Sequence, residues 1–387
     1  MKNWWHKEEV HLETKEYELG QLLSYEQPTP YIVDSTEYNE KYKTPVLTAG
    51  KSFVIGYTNE ETGIYDGLPV IIFDDFTTSS QYVNFKFKVK SSAMKILTAN
   101  TDFVLPKYIF YRMQIINFDH STHKRYWIQH YSKLRVQIPT LSEQERIIQK
   151  IEELFSELDK GVETLQTIKQ QLAVYRQAVL KEAFASLHDK TPIRNISSMV
   201  TSGSRGWAKY YNEYGARFIR ITDLTRDHIK LKNDSIQRVL LPVDAEGKRS
   251  RLQGNDVLVS ITADLGSIAL IPEGIEESYI NQHIAVIRFS DAFQGKFMAW
   301  YLKSDYGQKD LLRNKRGGGK LGLGLDDIRN TPVPVVCNEL ANGIVEKIES
   351  RLSVCDSIEQ TVDTALAQAE AMRQSILKKA FEGGFSE

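Results

Sequence analysis

The most regular pattern of apolar and polar residues lies between Leu141 and Phe184. Its apolar side chains recur every three or four positions, at Ile147, Ile151, Leu154, Leu158, Val162, Leu165, Ile168, Leu172, Tyr175 and Val179. This spacing is typical of an apolar stripe along one face of a long helix. No proline interrupts the segment, and its one glycine, Gly161, costs only about 1 kcal/mol relative to alanine. The pattern predicts a single helix.

The same pattern returns 197 positions later (344 − 147), between Ile344 and Phe381. Both copies contain the motif RQxxLKxAF, and the identical residues of the first copy are Asp159, Arg176, Gln177, Leu180, Lys181, Ala183 and Phe184. Their counterparts are Asp356, Arg373, Gln374, Leu377, Lys378, Ala380 and Phe381. A motif repeated at the end of two equally long stripes indicates an internal duplication.

Each stripe advances by about 3.5 residues per step, close to the coiled-coil repeat. Neither stripe can stay exposed in a soluble protein, so we expect the two helices to pack on each other, each about 60 Å long. The chain must leave the first helix at its far end and return along the second, which makes the pairing antiparallel. The predicted seam consists of Ile147, Ile151, Leu158, Leu165, Leu172, Ile344, Ile348, Val362, Met372 and Ile376.

Two strand-rich regions accompany the helices: residues 1–140, called globule one, and residues 188–334, called globule two. Short β-type runs such as LPVIIFDDF and DVLVSIT alternate in them with glycine, proline, Asn and Asp. The predicted order is therefore globule one, a helix over 141–187, globule two and a helix over 335–387. This is an α+β fold, with two strand-rich domains separated by two long antiparallel coiled-coil helices in a pseudo-two-fold internal repeat.

Composition adds limits. The 387 residues are 41% hydrophobic and 26% charged, with a net charge of −1, so any nucleic-acid site is a local basic patch. The sequence contains no run of about 18 apolar residues, which argues against a membrane span. The N-terminal sequence becomes acidic where a signal peptide would become apolar, so we expect a cytoplasmic protein with no membrane partner. The two cysteines, Cys337 and Cys355, predict no metal site and no disulfide framework.

Each globule ends with a basic loop. Basic loop one is His120–Trp127 and basic loop two is Arg313–Lys320, which combines four cations with three consecutive glycines. Glycines let backbone N–H groups approach phosphates, and arginine can bridge guanine O6 and N7. A solvated flexible loop would have the same composition. The candidate DNA-binding residues of the chain are Lys51, Lys86, Lys88, His123, Lys124, Arg125, Arg205, Lys209, Arg220, Lys248, Arg249, Arg313, Lys315, Arg316, Gly318 and Lys320.

Lys86, Lys88 and Lys90 alternate with apolar residues, so on a strand they would share one face. An ordinary solvated strand face has the same pattern.

Catalytic constellations are weak. His120 and His123 lack nearby carboxylate or thiol partners for a metal. The pair Asp74 and Asp75 is more typical of a turn than of a metal site. Glu246 and Lys248 with Asp234 upstream form a poor match to a nuclease site. We therefore expect no catalytic and no metal-binding residue, while a nuclease and a coiled-coil adaptor without DNA affinity stay as alternative functions.

The run IPTLSEQERIIQKIEELFSELDKGVETLQTIKQQLAVYRQAVLKEAF resembles the central conserved helix of type I restriction-modification specificity subunits, and residues 344–381 resemble the distal one. TPVLTAGKSFVIGYTNE and GNDVLVSITADLGSIALIP resemble two classes of their target-recognition domains. The second helix entry, VPVVCNELANGIV, departs from the family pattern, with Leu340 where glutamine is expected.

The resemblance implies a non-catalytic DNA-recognition subunit. Each globule would read one half of a bipartite, asymmetric target in double-stranded DNA, and the helix pair would set the gap and dock two modification (methyltransferase) subunits. Those subunits would carry S-adenosylmethionine and methylate adenine, and restriction subunits would supply ATP- and Mg-dependent translocation and cleavage. No cofactor is expected on this chain.

Overall fold

The fold comes from a computed structural model that describes residues 13–48, 52–118, 125–241, 250–315 and 321–382. The chain divides into two compact units, unit 1 (Met1–Leu165 and Thr364–Glu387) and unit 2 (Gln166–Asp363). The two long helices are α3 (Leu141–Phe184) and α7 (Asn338–Glu382). Each unit therefore holds one globule together with one part of each long helix.

Unit 1 contains two sheets that form the body of globule one. An antiparallel sheet has the strand order β2-β8-β5-β6, and a smaller sheet has the order β4-β3-β7, in which β3 and β7 are parallel. A separate pair, β1 and β9, lies next to the start of α3. The elements are β1 (Thr14–Glu18), α1 (Leu19–Leu22), β2 (Leu23–Glu26), β3 (Thr44–Leu47), β4 (Val54–Thr58), β5 (Val70–Asp74), β6 (Ser80–Val83), β7 (Lys88–Val89), β8 (Met94–Ala99), α2 (Pro106–Met113) and β9 (Arg135–Pro139).

Unit 2 contains globule two. One antiparallel sheet has the order β11-β18-β15-β16, and another has the order β12-β14-β13-β17, in which β13 and β17 are parallel. Its elements are β10 (Lys190–Pro192), β11 (Ser197–Ser202), β12 (Tyr211–Asn212), β13 (Ala216–Ile219), β14 (Gln237–Val239), β15 (Val257–Ser260), β16 (Ile268–Leu270), β17 (Ser278–Ile280), β18 (Ile284–Phe289), α4 (Gln294–Lys303), α5 (Asp305–Leu311), α6 (Leu325–Arg329) and β19 (Pro332–Pro334).

The two globules share one strand order. The strand order β2-β8-β5-β6 in globule one corresponds to the order β11-β18-β15-β16 in globule two, and the order β4-β3-β7 corresponds to β14-β13-β17. The sense of every corresponding pair is the same, including the parallel pairs β3·β7 and β13·β17. The pair β1·β9 has its counterpart in β10·β19. The duplication that the helices indicate therefore extends to the fold of the globules.

In each unit the long helices pack into the core of the globule. In unit 1, Ile147 and Ile151 of α3 join Leu377 and Ala380 of α7 in one buried cluster. In unit 2, Val179 and Phe184 of α3 lie in a cluster with Ile348 and Leu352 of α7. In unit 1 the first part of α3 is thus paired with the last part of α7. In unit 2 the last part of α3 is paired with the first part of α7. The predicted antiparallel arrangement and the α+β fold class are confirmed.

One predicted seam residue is wrong. Met372 is 54% exposed. Buried and half-buried positions of α7 follow steps of four and three residues, through Ala369, Arg373 and Ile376, so the seam passes Arg373 and leaves Met372 one position to the side. The guanidinium of Arg373 lies 4.5 Å from the centroid of the Phe155 ring, so this charged side chain covers an aromatic ring of α3 by a cation–π contact.

The arginine of the repeated motif forms the same ion pair twice. In unit 1, Arg373 pairs with Asp159, and in unit 2, Arg176 pairs with Asp356 at 2.7 Å. Arg176 also contacts Glu359 at 2.8 Å, and its side chain is only 11% exposed. Since these pairs are related by the repeat, they fix the register of the helices at both ends of the pairing.

The helix entries also differ from expectation. Gln144 is fully buried and donates to the carbonyls of Phe103 and Pro139 at 3.0 Å, while its own carbonyl accepts from the Leu105 N–H at 2.8 Å. Applying the 197-residue shift, 144 + 197 = 341, so the counterpart of Gln144 is the buried Ala341 and not Leu340, which is 48% exposed. The second helix therefore lacks a glutamine that ties the start of the helix to the chain before the short helix, as Gln144 does in the first.

At the start of α7, Asn338 makes the contacts that tie the helix to the rest of globule two. Its amide nitrogen donates to Asp291 at 2.6 Å and its carbonyl oxygen accepts from Gln294. Both helix entries are therefore tied to the chain next to a short helix, α2 in one unit and α4 in the other.

Burial in the helix pair yields a first prediction. Ile348 is 1% exposed and Ile358, on the same helix and in the same unit, is 40% exposed. Ile348→Asp should destabilise the protein by about 3–5 kcal/mol, because it leaves a carboxylate buried without a partner. Ile358→Asp should cost less than about 1 kcal/mol. Denaturant unfolding of both variants measures the difference, and equal losses would show that Ile348 is not in the seam.

Among the described helices, none combines the length and the apolar composition needed for a membrane span.

Candidate nucleic-acid interface

Basic loop one returns to the carboxyl end of the central strand β5. The next residue after β5, Asp75, accepts a hydrogen bond from the Tyr126 N–H through its carbonyl (2.9 Å) and one from the Trp127 N–H through its carboxylate (2.8 Å). Asp74 accepts from the Phe76 N–H at 2.8 Å, which closes a turn. Both carboxylates thus have structural partners where β5 ends.

The chain that follows basic loop two reaches the corresponding place in globule two. Ile261 directly follows β15, as Asp75 follows β5, and its carbonyl accepts from the Leu323 N–H at 2.9 Å. The strand registers support this correspondence, since Phe73 faces Lys95 across β5 and β8 as Val259 faces Ala285 across β15 and β18. The end of basic loop one and the chain shortly after basic loop two therefore lie at equivalent positions of the repeated fold.

Half of the candidate DNA-binding residues lie outside the described residues and stay predictions. They are Lys51, His123, Lys124, Lys248, Arg249, Arg316, Gly318 and Lys320.

Six further candidates are exposed cations: Lys86, Arg125, Arg205, Lys209, Arg313 and Lys315. Lys86 lies 3.7 Å from Asp66, but both side chains are more than two-thirds exposed, so water weakens this pair. The Lys209 ammonium lies 4.9 Å from the centroid of the Tyr210 ring, and the Arg125 guanidinium lies 6.0 Å from that of Phe76. These side chains can reach a polyanion without first leaving a buried partner.

Lys88 contradicts its prediction. Its side chain is 3% exposed, pairs with Glu60 at 2.6 Å and donates to the Thr62 carbonyl at 2.7 Å. The strand β7 is only Lys88–Val89 and is buried from Phe87 to Val89, so the alternation of lysines does not produce a solvated face here. Lys88 is a buried structural cation and is not available to DNA.

Arg220 is also occupied. Its guanidinium donates to the carbonyl and hydroxyl of Ser235 at 3.2 and 3.3 Å, and lies 3.4 Å from Asp223. Asp223 in turn accepts from the Arg220 N–H at 2.8 Å. Arg220 ties together two loops of globule two, which is a structural role that its prediction as a DNA-binding residue did not include.

The end of β15 is held by polar contacts. The Arg226 guanidinium donates to Asp264, and this contact, followed by a hydrogen bond from Ser267, holds the pKa of the Asp264 carboxyl below its usual value. Thr262 Oγ1 lies 2.6 Å from His283 Nδ1, and the Gln282 amide nitrogen lies 2.8 Å from His283 Nε2. Globule two thus presents hydroxyl, imidazole and amide groups where basic loop two returns.

Globule one has different chemistry at the same place. A cavity of about 540 Å³ opens beside basic loop one, and Lys95 and Asp75 in its wall form a fully buried ion pair, with their charged atoms 3.5 Å apart. Lys95 was not singled out from the sequence, because a lysine in the run MKILTA looks like an outward-facing strand residue. The cavity is lined by Gln27, Asp75, Lys95, Arg125, Ile128 and Gln129.

No group of three or more His, Cys, Asp or Glu side chains in the described part of the chain is arranged to hold a metal ion. Glu246 and Lys248, considered above as part of a nuclease site, lie outside the described residues.

Comparison with known proteins gives consistent matches. Residues 205–367 match the family described as type I restriction modification DNA specificity domain. The chain is 46% identical over 147 residues to the type I restriction enzyme EcoR124I/EcoR124II specificity subunit of Escherichia coli, covering 37% of this chain and 36% of that protein. It is 28% identical over 276 residues to the EcoBI specificity subunit of Escherichia coli, covering 64% of this chain and 57% of that protein.

The fold also matches a solved structure. A chain from a study of complex assembly and conformational transition of the type I R-M system shares 17% identity and a TM-score of 0.66, over 95% of this chain and 100% of that chain. At this identity the match concerns the fold alone. The sequence matches span about a third to somewhat over half of the two curated relatives. Residues 205–367 thus match the type I restriction modification DNA specificity domain, and the chain is similar in sequence to specificity subunits of type I restriction enzymes.

Proposed function

We propose that this chain is the DNA-sequence specificity subunit of a type I restriction-modification enzyme. The observation that carries the proposal is the repeated fold, in which two globules of one strand order each bring a basic loop to the end of the central strand. Two similar binding modules on one chain suit a ligand that offers two separate sites, and duplex DNA repeats about every 34 Å.

Each globule reads one half of a bipartite target in this proposal. The exposed cations around the loops contact phosphates and set the register on the duplex, and side chains at the strand ends contact base edges. The groups beside those strand ends differ, with Gln27 and Gln129 in globule one and Thr262, His283 and Gln282 in globule two. The half-sites are therefore different, and the target is asymmetric.

The helix pair sets the gap between the half-sites and docks two modification subunits. Each paired region is held in register by the repeated arginine–aspartate contacts, Arg373 with Asp159 and Arg176 with Asp356. Exposed apolar side chains on these helices, Val174 at 72% and Val354 at 57%, offer surface that a docked subunit would cover.

Catalysis belongs to the partner subunits. The modification subunits supply S-adenosylmethionine and methylate a flipped adenine, and restriction subunits, where present, supply ATP- and Mg-dependent translocation and cleavage. This chain contributes binding energy and orientation only, and holds no cofactor.

The test is co-expression with a modification subunit from the same source, followed by sequencing of methylated adenines on random DNA. We expect a stable complex and one split, asymmetric motif. A stable complex that methylates without any motif would favour the adaptor function, and metal-dependent cleavage by the chain alone would favour the nuclease.

A further inference from the structure

The cavity beside basic loop one contains groups that the fold does not use. Gln27, Ile128 and Gln129 line it, and all three are exposed, with Ile128 at 53%. Within the described residues, neither glutamine amide forms a hydrogen bond. These exposed side chains are therefore available to a ligand.

The same side chains are held on a rigid base. Ile128 and Gln129 lie at the tip of a turn in which the N–H groups of His130 and Tyr131 donate to the Tyr126 carbonyl at 3.0 and 2.9 Å. The base of this turn is buried, with Tyr126 at 3% and Trp127 at 1% exposure. The tip is therefore presented in a fixed position, as expected of a recognition element.

The buried ion pair fixes this turn in the fold. Asp75 accepts from the Trp127 N–H at 2.8 Å and is paired with Lys95, whose ammonium lies 5.5 Å from the centroid of the Tyr25 ring. Both charged side chains are at most 3% exposed, so they cannot themselves contact a ligand. Lys95 is a positioning residue that holds the turn against the end of β5.

The chemistry of the exposed groups selects one kind of base pair. A glutamine amide matches adenine, since its carbonyl accepts from N6–H₂ and its amino group donates to N7. An exposed aliphatic side chain matches the thymine methyl group. Adenine N6 and N7 and the thymine methyl group lie on opposite strands of the same A·T pair, and all of them face the major groove.

We propose that the cavity formed by Gln27, Ile128 and Gln129 reads an A·T base pair in the half-site of globule one. The proposal rests on the function proposed above and names the base pair and the side chains. Globule two lacks this arrangement, because Ala285 and Ile261 occupy the places of Lys95 and Asp75. The A·T contact is thus a property of one half-site.

Base analogues test the contact in the assembled complex with its modification subunits. Once the motif is known, each A·T pair of half-site one is replaced by 7-deazaadenine, which lacks N7, or by uracil, which lacks the methyl group. For one pair we expect each analogue to weaken binding to the native protein. Gln129→Ala or Gln27→Ala should lower the preference for that pair by about 5- to 150-fold. Ile128→Ala should remove the difference between thymine and uracil.

Controls separate base reading from other causes. Gln81→Ala removes an exposed glutamine of the same globule that does not line the cavity and should change nothing. Lys95→Met should lower the preference for the A·T pair of half-site one, and Lys95→Arg should retain more of this preference than Lys95→Met. The A·T contact is refuted if the glutamine variants lose affinity equally for all duplexes, which would identify a contact to the sugar–phosphate backbone, or if they leave the preference for every A·T pair of half-site one unchanged. Methylation without any motif would overturn both this contact and the proposed function.

Discussion

Removing four cations from the two basic loops should lower DNA affinity on the order of a thousandfold at physiological salt. The variant combines Lys124→Ala and Arg125→Ala with Lys315→Ala and Arg316→Ala, in the complex with modification subunits. Each cation that neutralises a phosphate contributes about 0.9 to the slope of log affinity against log salt, so the slope should fall by about 3–4. Titration of labelled duplex DNA at several salt concentrations measures both quantities.

A matched variant removes four other exposed lysines, Lys41, Lys43, Lys230 and Lys232, which lie outside the loops. The same net charge is lost, so a general electrostatic effect would weaken binding equally. We expect the control to change the slope by less than about one. If both variants behave alike, the loops are ordinary solvated segments and the interface lies elsewhere.

Reversing the charge of Arg176 should strongly destabilise the protein. The Arg176 side chain is 11% exposed and contacts Asp356 and Glu359 at 2.7 and 2.8 Å. Arg176→Asp brings three carboxylates together between α3 and α7, so we expect a loss of about 3–5 kcal/mol in the free energy of unfolding. Lys181→Asp, at an exposed position of the same helix, should cost less than about 1 kcal/mol.

Adding Asp356→Arg to Arg176→Asp returns opposite charges to the pair and also gives Glu359 a partner. The double variant should recover about 1–3 kcal/mol relative to Arg176→Asp alone. Thermal and denaturant unfolding give these values. An equal loss for Arg176→Asp and Lys181→Asp, or no recovery in the double variant, would mean that the repeated ion pair does not hold the helices in register.

The long helices were predictable because their signal is local and repeated many times. The pattern predicted α3 over the residues observed, Leu141–Phe184, and the repeat identified α7. Met372 was misplaced because methionine is apolar and arginine is charged, whereas the packing position belongs to Arg373. The guanidinium of Arg373 lies over the Phe155 ring, and its charge is matched by Asp159, a residue 214 positions away.

The site was less predictable because its contacts are long-range. Lys88 and Lys95 look like surface lysines in the sequence, yet each is buried with a carboxylate, Glu60 and Asp75 respectively. Nothing in the spacing of the chain joins these partners. The common strand order of the globules was also hidden, since strands of one topology can present quite different side chains.

The most direct test of the account maps methylated adenines for three complexes. One contains the native chain, the second contains Gln27→Ala with Gln129→Ala in globule one, and the third contains Thr262→Ala with Gln282→Ala in globule two. We predict a split motif for the native complex, with degeneracy confined to one half in the second complex and to the other half in the third. Degeneracy of both halves in either variant, or a single continuous motif, would contradict the assignment of one half-site to each globule.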